Sequence, residues 1–194
     1  MSDWFLGASI ALLAVATGVS GLVLLSVRRA AVSGGLLVVV ALTGLGALVL
    51  HARGEARDVE RAHAIGSTIL VFPLAVAAYP RWSWRNPVDF VAVTTFAAAG
   101  VITVSAPRES HTADAMAVVI ALAVILHVWW RLETAGPADR VPLQWFAVAA
   151  GTAGLIGGLL LFSAEGASHN TPASVVALLC APIAPAMVIG VIRP

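Results

Sequence analysis

The chain has no lysine; all eleven of its cations are arginines. That absence excludes a retinal protein, because the Schiff base needs a lysine amine. Cysteine is nearly absent as well. Cys180 stands alone in an apolar run, so no disulfide framework can form. Charge is scarce. Only 11% of the 194 residues are charged, against about 25% in a soluble domain. A water-facing surface cannot be built from so few charges. The net charge of +1 gives no basic footprint for a nucleic-acid partner. Phosphate-cradling glycine loops and the His-Glu-x-x-His metalloprotease motif are missing.

What is present is apolar length. The composition is 60% hydrophobic and the mean hydropathy is +0.96. A helical span needs roughly 20 apolar residues to cross about 30 Å of hydrocarbon. Seven stretches meet or approach this: Trp4–Val27, Ala31–Leu50, Ala62–Tyr79, Val88–Ser105, Ala113–Trp130, Val141–Ala164 and Thr171–Ile192. The connections are too short for a soluble domain between them. The expected fold is therefore all-α, a single polytopic transmembrane bundle of about seven helices in the plasma membrane, with the lipid bilayer as its first partner. The third stretch is short and contains Pro73, so a six-span count with one re-entrant segment is the alternative. Met1-Ser2-Asp3-Trp4 lacks the basic n-region of a cleaved signal peptide. The first run reads as a retained helix.

Arginine placement sets the orientation. With seven spans, one set of loops holds seven arginines (28, 29, 81, 85, 131, 140 and 193) against Asp89, Glu133 and Asp139, net +4. The other holds four arginines (53, 57, 61 and 108) against seven acids, net −3. The first set is expected in the cytoplasm, the N-terminus outside and the C-terminus inside. Small residues Ala150, Gly154 and Gly158 recur at four-residue spacing on the sixth span. This pattern lets helices approach closely, most simply within one chain. Pro73, Pro182 and Pro185 remove backbone donors inside spans and are expected to kink them.

Four of five histidines fall on the outer side: His51, His63, His111 and His169. His51 and Glu55 are four apart, Glu60 and His63 three apart, and His111 and Asp114 three apart. Each pair can share a helix face. Histidine titrates near neutrality, so this rim is a candidate ligand or proton sensor. A solvated polar rim is the plainer account, and no tight metal-ligand motif is present. Arg53, Arg57 and Arg61 form a basic stripe able to grip anions or lipid phosphates. Pairing with Glu55, Asp58 and Glu60 is again the plainer reading. His127 lies inside the fifth span, within a turn of Trp129-Trp130-Arg131. It reads as a snorkelling or hydrogen-bonded interfacial side chain. A bis-histidine haem would need a second histidine at its depth. No cofactor is expected.

Three stretches together carry a family resemblance. Val71-Phe72-Pro73 through Tyr79-Pro80-Arg81-Trp82-Ser83-Trp84-Arg85 resembles a cytoplasmic turn in the membrane regions of actinobacterial sensor histidine kinases. Asp139-Arg140-Val141-Pro142-Leu143-Gln144-Trp145-Phe146-Ala147 is similar to the start of a late span in those proteins. Ala184 through Arg193 resembles their last span. The chain departs from them where Tyr79-Pro80 lacks a following Asp-Gly and where Val141-Pro142 replaces a more polar pair. It also carries no phosphorylation-histidine segment and no ATP-binding domain. The resemblance thus implies a sensory membrane module without kinase activity, which would hand its signal to a cytoplasmic partner. The alternatives are a small membrane enzyme or carrier using the outer His/Asp/Glu rim, or an accessory subunit of a membrane complex.

The orientation makes a direct prediction. In a Cys180→Ser background, single cysteines replacing Ala56 and Ser83 should react with an impermeant maleimide from opposite sides of the membrane. Reaction of both from one side would refute the seven-span count.

Overall fold

The computed structural model describes residues 3–53, 70–81, 86–105, 112–163, 178 and 180–192. Among these there are seven helices and no strand. They are α1 (Asp3–Leu25), α2 (Ala31–Ala52), α3 (Phe72–Ala77), α4 (Pro87–Ser105), α5 (Thr112–Thr134), α6 (Pro137–Ser163) and α7 (Ile183–Ile192). Three stretches, Gly7–Leu25, Ala31–Ala52 and Pro87–Ser105, are long and apolar enough to cross a membrane. Their outward faces are apolar: Leu22, Leu42 and Val91 are all more than half exposed. Exposed apolar faces of this extent call for a covering surface.

The helix limits follow local chemistry. Asn86 caps α4: its Oδ1 accepts a hydrogen bond from the Val88 N–H at 3.0 Å. Pro87 follows at the first helical position, where a missing N–H costs nothing. α6 begins with Pro137 on the same logic, four residues before the expected start. α5 runs one turn beyond the expected end, so Trp129, Trp130 and Arg131 are helical. Pro182 stands in a turn that precedes α7, so it breaks the seventh stretch rather than bending it.

The helices close a ring in which α1 packs on α2 and α7, α6 on α7 and α5, and α5 on α4. α3 touches α2, α4 and α5. Its Phe72, Ala75, Val76 and Tyr79 also join one buried cluster with residues of α6 and α7, such as Phe146 and Met187. α3 is therefore enclosed by other helices. Ala75 and Ala77 are fully buried, which explains its small residues and its lack of a lipid-facing flank.

Close backbone approach is concentrated between α1 and α2. A Cβ on Gly34 would lie 2.6 Å from the Leu25 nitrogen and 2.8 Å from the Gly21 carbonyl. Gly18 faces Ala41, and Gly44 faces Ala14, each at 3.2 Å. Small residues here take the role that the sequence suggested for α6. On α6, Ala150 is half-buried against the main core, while the surroundings of Gly154 and Gly158 lie outside the description. Without a hydrophobic driving force between helices in lipid, such interlocking is what holds two helices together.

Gly34→Ala should therefore overpack a backbone contact and cost about 1–3 kcal/mol. Gly46→Ala, where a Cβ meets nothing within 4 Å, should leave stability unchanged or slightly raised. Thermal unfolding of the detergent-solubilised protein checks both.

Candidate functional site

Proline placement creates a problem at one end of the bundle. Pro142 lies inside α6, so the Ala138 carbonyl loses its ordinary helical donor four residues on. The carbonyls of the last turn of α7 and those that follow α3 also lack helical donors. Arginine and histidine side chains fill these positions.

Arg29, in the turn between α1 and α2, donates from Nη1 to the Ala138 carbonyl at 3.3 Å and from Nη2 to the Val191 carbonyl at 3.2 Å. It thus joins α6 to α7. Arg131, in the last turn of α5, does the same for the segment after α3. Its Nη1 donates to the Tyr79 carbonyl at 2.7 Å and its Nη2 to the Arg81 carbonyl at 3.0 Å. The remaining edge of the guanidinium meets Asp89 of α4, with Nε to Oδ1 at 3.0 Å and Nη2 to Oδ2 at 2.6 Å. Both partners are buried, Asp89 at 1% exposure and Arg131 at 8%. A two-point Arg–carboxylate contact is among the strongest polar interactions available to side chains.

His127, one turn before Arg131, completes the cluster. Its Nε2 lies 3.4 Å from the Ala77 carbonyl and 3.8 Å from Asp89 Oδ1. The ring meets Phe96 edge-on. It is 4% exposed, so it is hydrogen-bonded rather than snorkelling. Its Nδ1 is buried and has no hydrogen-bond partner among the described residues. Asp89, His127 and Arg131 therefore form a buried ionisable group of three.

A second contact ties α7 to this centre. The Tyr79 hydroxyl donates to the Met187 carbonyl at 2.8 Å. Gly190 makes room for it, since a Cβ there would lie 2.9 Å from Tyr79 Oη and 2.8 Å from Pro142 Cα. Beside the cluster opens a cleft of about 170 Å³, lined in part by Arg81, Asp89, Trp130, Arg131 and Asp139.

No protein-family model, curated protein or solved structure matches this chain.

The outer rim suggested by the sequence is largely outside the described residues: Glu55, Arg57, Glu60, Arg61, His63, His111 and His169 all lie there. Asp114 stands near the start of α5 with its side chain undescribed. His51 is half-buried at the end of α2 against Gly7 of α1. Arg53 is exposed just past that helix. Among the described residues no group of three His, Cys, Asp or Glu is placed to hold a metal ion. The buried polar chemistry gathers instead where Asp89 and Arg131 meet. Along the sequence, Asp89 counts only as a loop charge and Arg131 as a loop charge that marks the interface. The available signal is an acid just inside the start of one apolar run and an arginine directly after the end of another, with a histidine one turn deeper.

Two mutational tests follow. Asp89→Ala strands a buried guanidinium and should cost about 3–5 kcal/mol. Arg131→Lys should not compensate, because an ammonium cannot serve a carboxylate and two carbonyls at once. Separately, Arg29→Gln should cost about 1–3 kcal/mol by orphaning carbonyls. Its cost should shrink in a Pro142→Ala background, where the restored N–H reaches the Ala138 carbonyl. Chemical or thermal unfolding of these variants in detergent measures both effects.

Proposed function

We propose that this chain is a seven-span sensory membrane module, N-terminus outside and C-terminus in the cytoplasm, which passes its signal through α7. The observation that carries the reading is the packing of the three stretches with sensor-kinase resemblance onto one another. Tyr79 of the first bonds the Met187 carbonyl of the third. Gly190 of the third seats against Pro142 of the second. Arg81 of the first stands 4.0 Å from Asp139 of the second. A segment that only anchors a protein has no need to connect its last helix to two inter-helix turns and the first turns of α6. A module that must move that helix does.

Arg29 adds to this support. It holds the last turn of α7 against the start of α6 through hydrogen bonds to two carbonyls, with Asp139 4.0 Å away. Carbonyl contacts of this kind can be exchanged for neighbouring carbonyls or water at small cost, so α7 has a defined rest position and a way out of it. A displacement of the outer rim, carrying His51, His63, His111 and His169, would travel along the helices to this end.

The test is a distance. Spin labels at Ile192→Cys and Val91→Cys, in a Cys180→Ser background and reconstituted in liposomes, report α7 against α4. The sensor reading expects their separation to change with outer pH, divalent cations or bilayer thickness. A separation that stays fixed under all three conditions favours a static accessory subunit instead.

A further inference from the structure

The end of the bundle that holds the Asp89–Arg131 pair carries more positive charge than its own acids neutralise. Contacts of Arg29, Arg81 and Arg131 bring together there the turn between α1 and α2, the segment after α3, the start of α4, the end of α5, the start of α6 and the end of α7. Asp89 and Arg131 cancel each other in a buried pair. Outside that pair, the described residues of this end include four arginines, Arg28, Arg29, Arg81 and Arg140, against two acids, Glu133 and Asp139, a net charge of +2. Residues 82–85 and 193 adjoin them along the chain and contain two more arginines and no acidic side chain. They add to the surplus and cannot cancel it. The surplus is concentrated at one carboxylate. Arg29 Nη1 stands 4.0 Å from Asp139 Oδ1, and Arg81 Nε stands 4.0 Å from Oδ2. One negative charge thus lies between two positive ones. Arg29 is committed to the carbonyls of Ala138 and Val191, but the Arg81 side chain is 62% exposed. Arg28 and Arg140 are exposed as well.

The neighbours of these arginines indicate what the charge faces. Leu25, Phe90, Trp129, Trp145 and Ile192 stand near the same end of α1, α4, α5, α6 and α7, and each is more than two-fifths exposed. Exposed tryptophans beside a ring of arginines mark a helix end at headgroup level, where indoles and guanidiniums meet lipid phosphates. A soluble acidic peptide would meet the arginines but leave this apolar collar uncovered. From this arrangement we infer that this end of the bundle docks on anionic phospholipid headgroups, with a lipid phosphodiester against Arg81. The phosphodiester supplies the negative charge that Asp139 must otherwise divide between Arg81 and Arg29. Asp139 opposes the lipid while it holds the two arginines, so it sets how strongly the surface binds. A zwitterionic headgroup carries an ammonium that offsets its phosphate and gains little from a net positive surface. The sequence suggested lipid phosphates for Arg53, Arg57 and Arg61 instead. Arg53 follows the opposite end of α2, and its set of loops carries net −3. The inference rests on the membrane part of the reading above and not on signalling. A fixed spin-label separation would remove the sensor and leave this surface standing, and loss of the lipid preference would leave the sensor standing.

The experiment is native mass spectrometry of the full chain in detergent with phosphatidylglycerol and phosphatidylcholine. Phosphatidylglycerol should be retained roughly tenfold better. Arg81→Gln should cut that preference about fivefold, the worth of one arginine near an anionic surface. Asp139→Asn should raise it by a similar factor, because the competing charge is gone. An Asp139 that only held helices together would give no rise. Arg53→Gln, at the opposite end of α2, should leave the preference unchanged. If Asp139→Asn does not fold, Arg81→Gln and Arg140→Gln, both at exposed side chains, set against Arg53→Gln still decide the matter. Soluble glycerol phosphate in large excess should not displace the lipid. Equal retention of the two lipids, a folded Asp139→Asn variant whose preference does not rise, equal losses from Arg53→Gln and Arg81→Gln, or displacement by glycerol phosphate overturns the proposal.

Discussion

The structure depends on where backbone carbonyls find donors at one end of the helix bundle. In a chain with three helices long and apolar enough to cross a membrane, an unpaired carbonyl away from water costs several kcal/mol. Pro142 removes a helical donor, and the ends of α3 and α7 expose further carbonyls. Arg131 and Arg29 answer with forks of N–H groups that reach two carbonyls each. His127 stands over a fifth carbonyl, that of Ala77. This gives the all-arginine composition a physical meaning at these two positions. A lysine ammonium is a compact point charge and cannot present donors along the edge of a plane.

From this constraint the rest of the architecture follows. Arg131 can be buried because Asp89 neutralises it across α4 and α5, and a buried charge is tolerable only when paired and hydrogen-bonded. The pair fixes the start of α4 against the end of α5. The turn after α3 is pinned by the same guanidinium, which places Tyr79 to reach α7. α7 in turn can come close only because position 190 is glycine. Pro142 thus creates one of the two acceptors that Arg29 binds.

Much of the helical framework was legible, and the reason is simple. Long apolar runs and their arginine or proline boundaries are local signals. The ends of α1, α2 and α4 lie within two residues of the expected ones. The third stretch is short for a span, yet Phe72–Ala77 within it forms a largely buried helix. Length measures fitness to span lipid, whereas α3 is judged by what surrounds it. The candidate site was much less legible. Attention fell on histidines in loops, because His–acid spacings can be read along a helix. Asp89 and Arg131 are 42 residues apart, and no periodicity links them. Arg29 and Val191 are 162 apart.

By itself, the sequence determined that this protein is helical, poor in charge and built on long apolar runs bounded by arginine or proline. Those properties are sums over residues, or patterns within a single helix turn. Only the tertiary structure decided which arginines are paired and which carbonyls they satisfy. Those facts depend on groups brought together from different helices, and hydrogen bonds act over about 3 Å. A pattern along the chain carries no information at that resolution until the helices are packed.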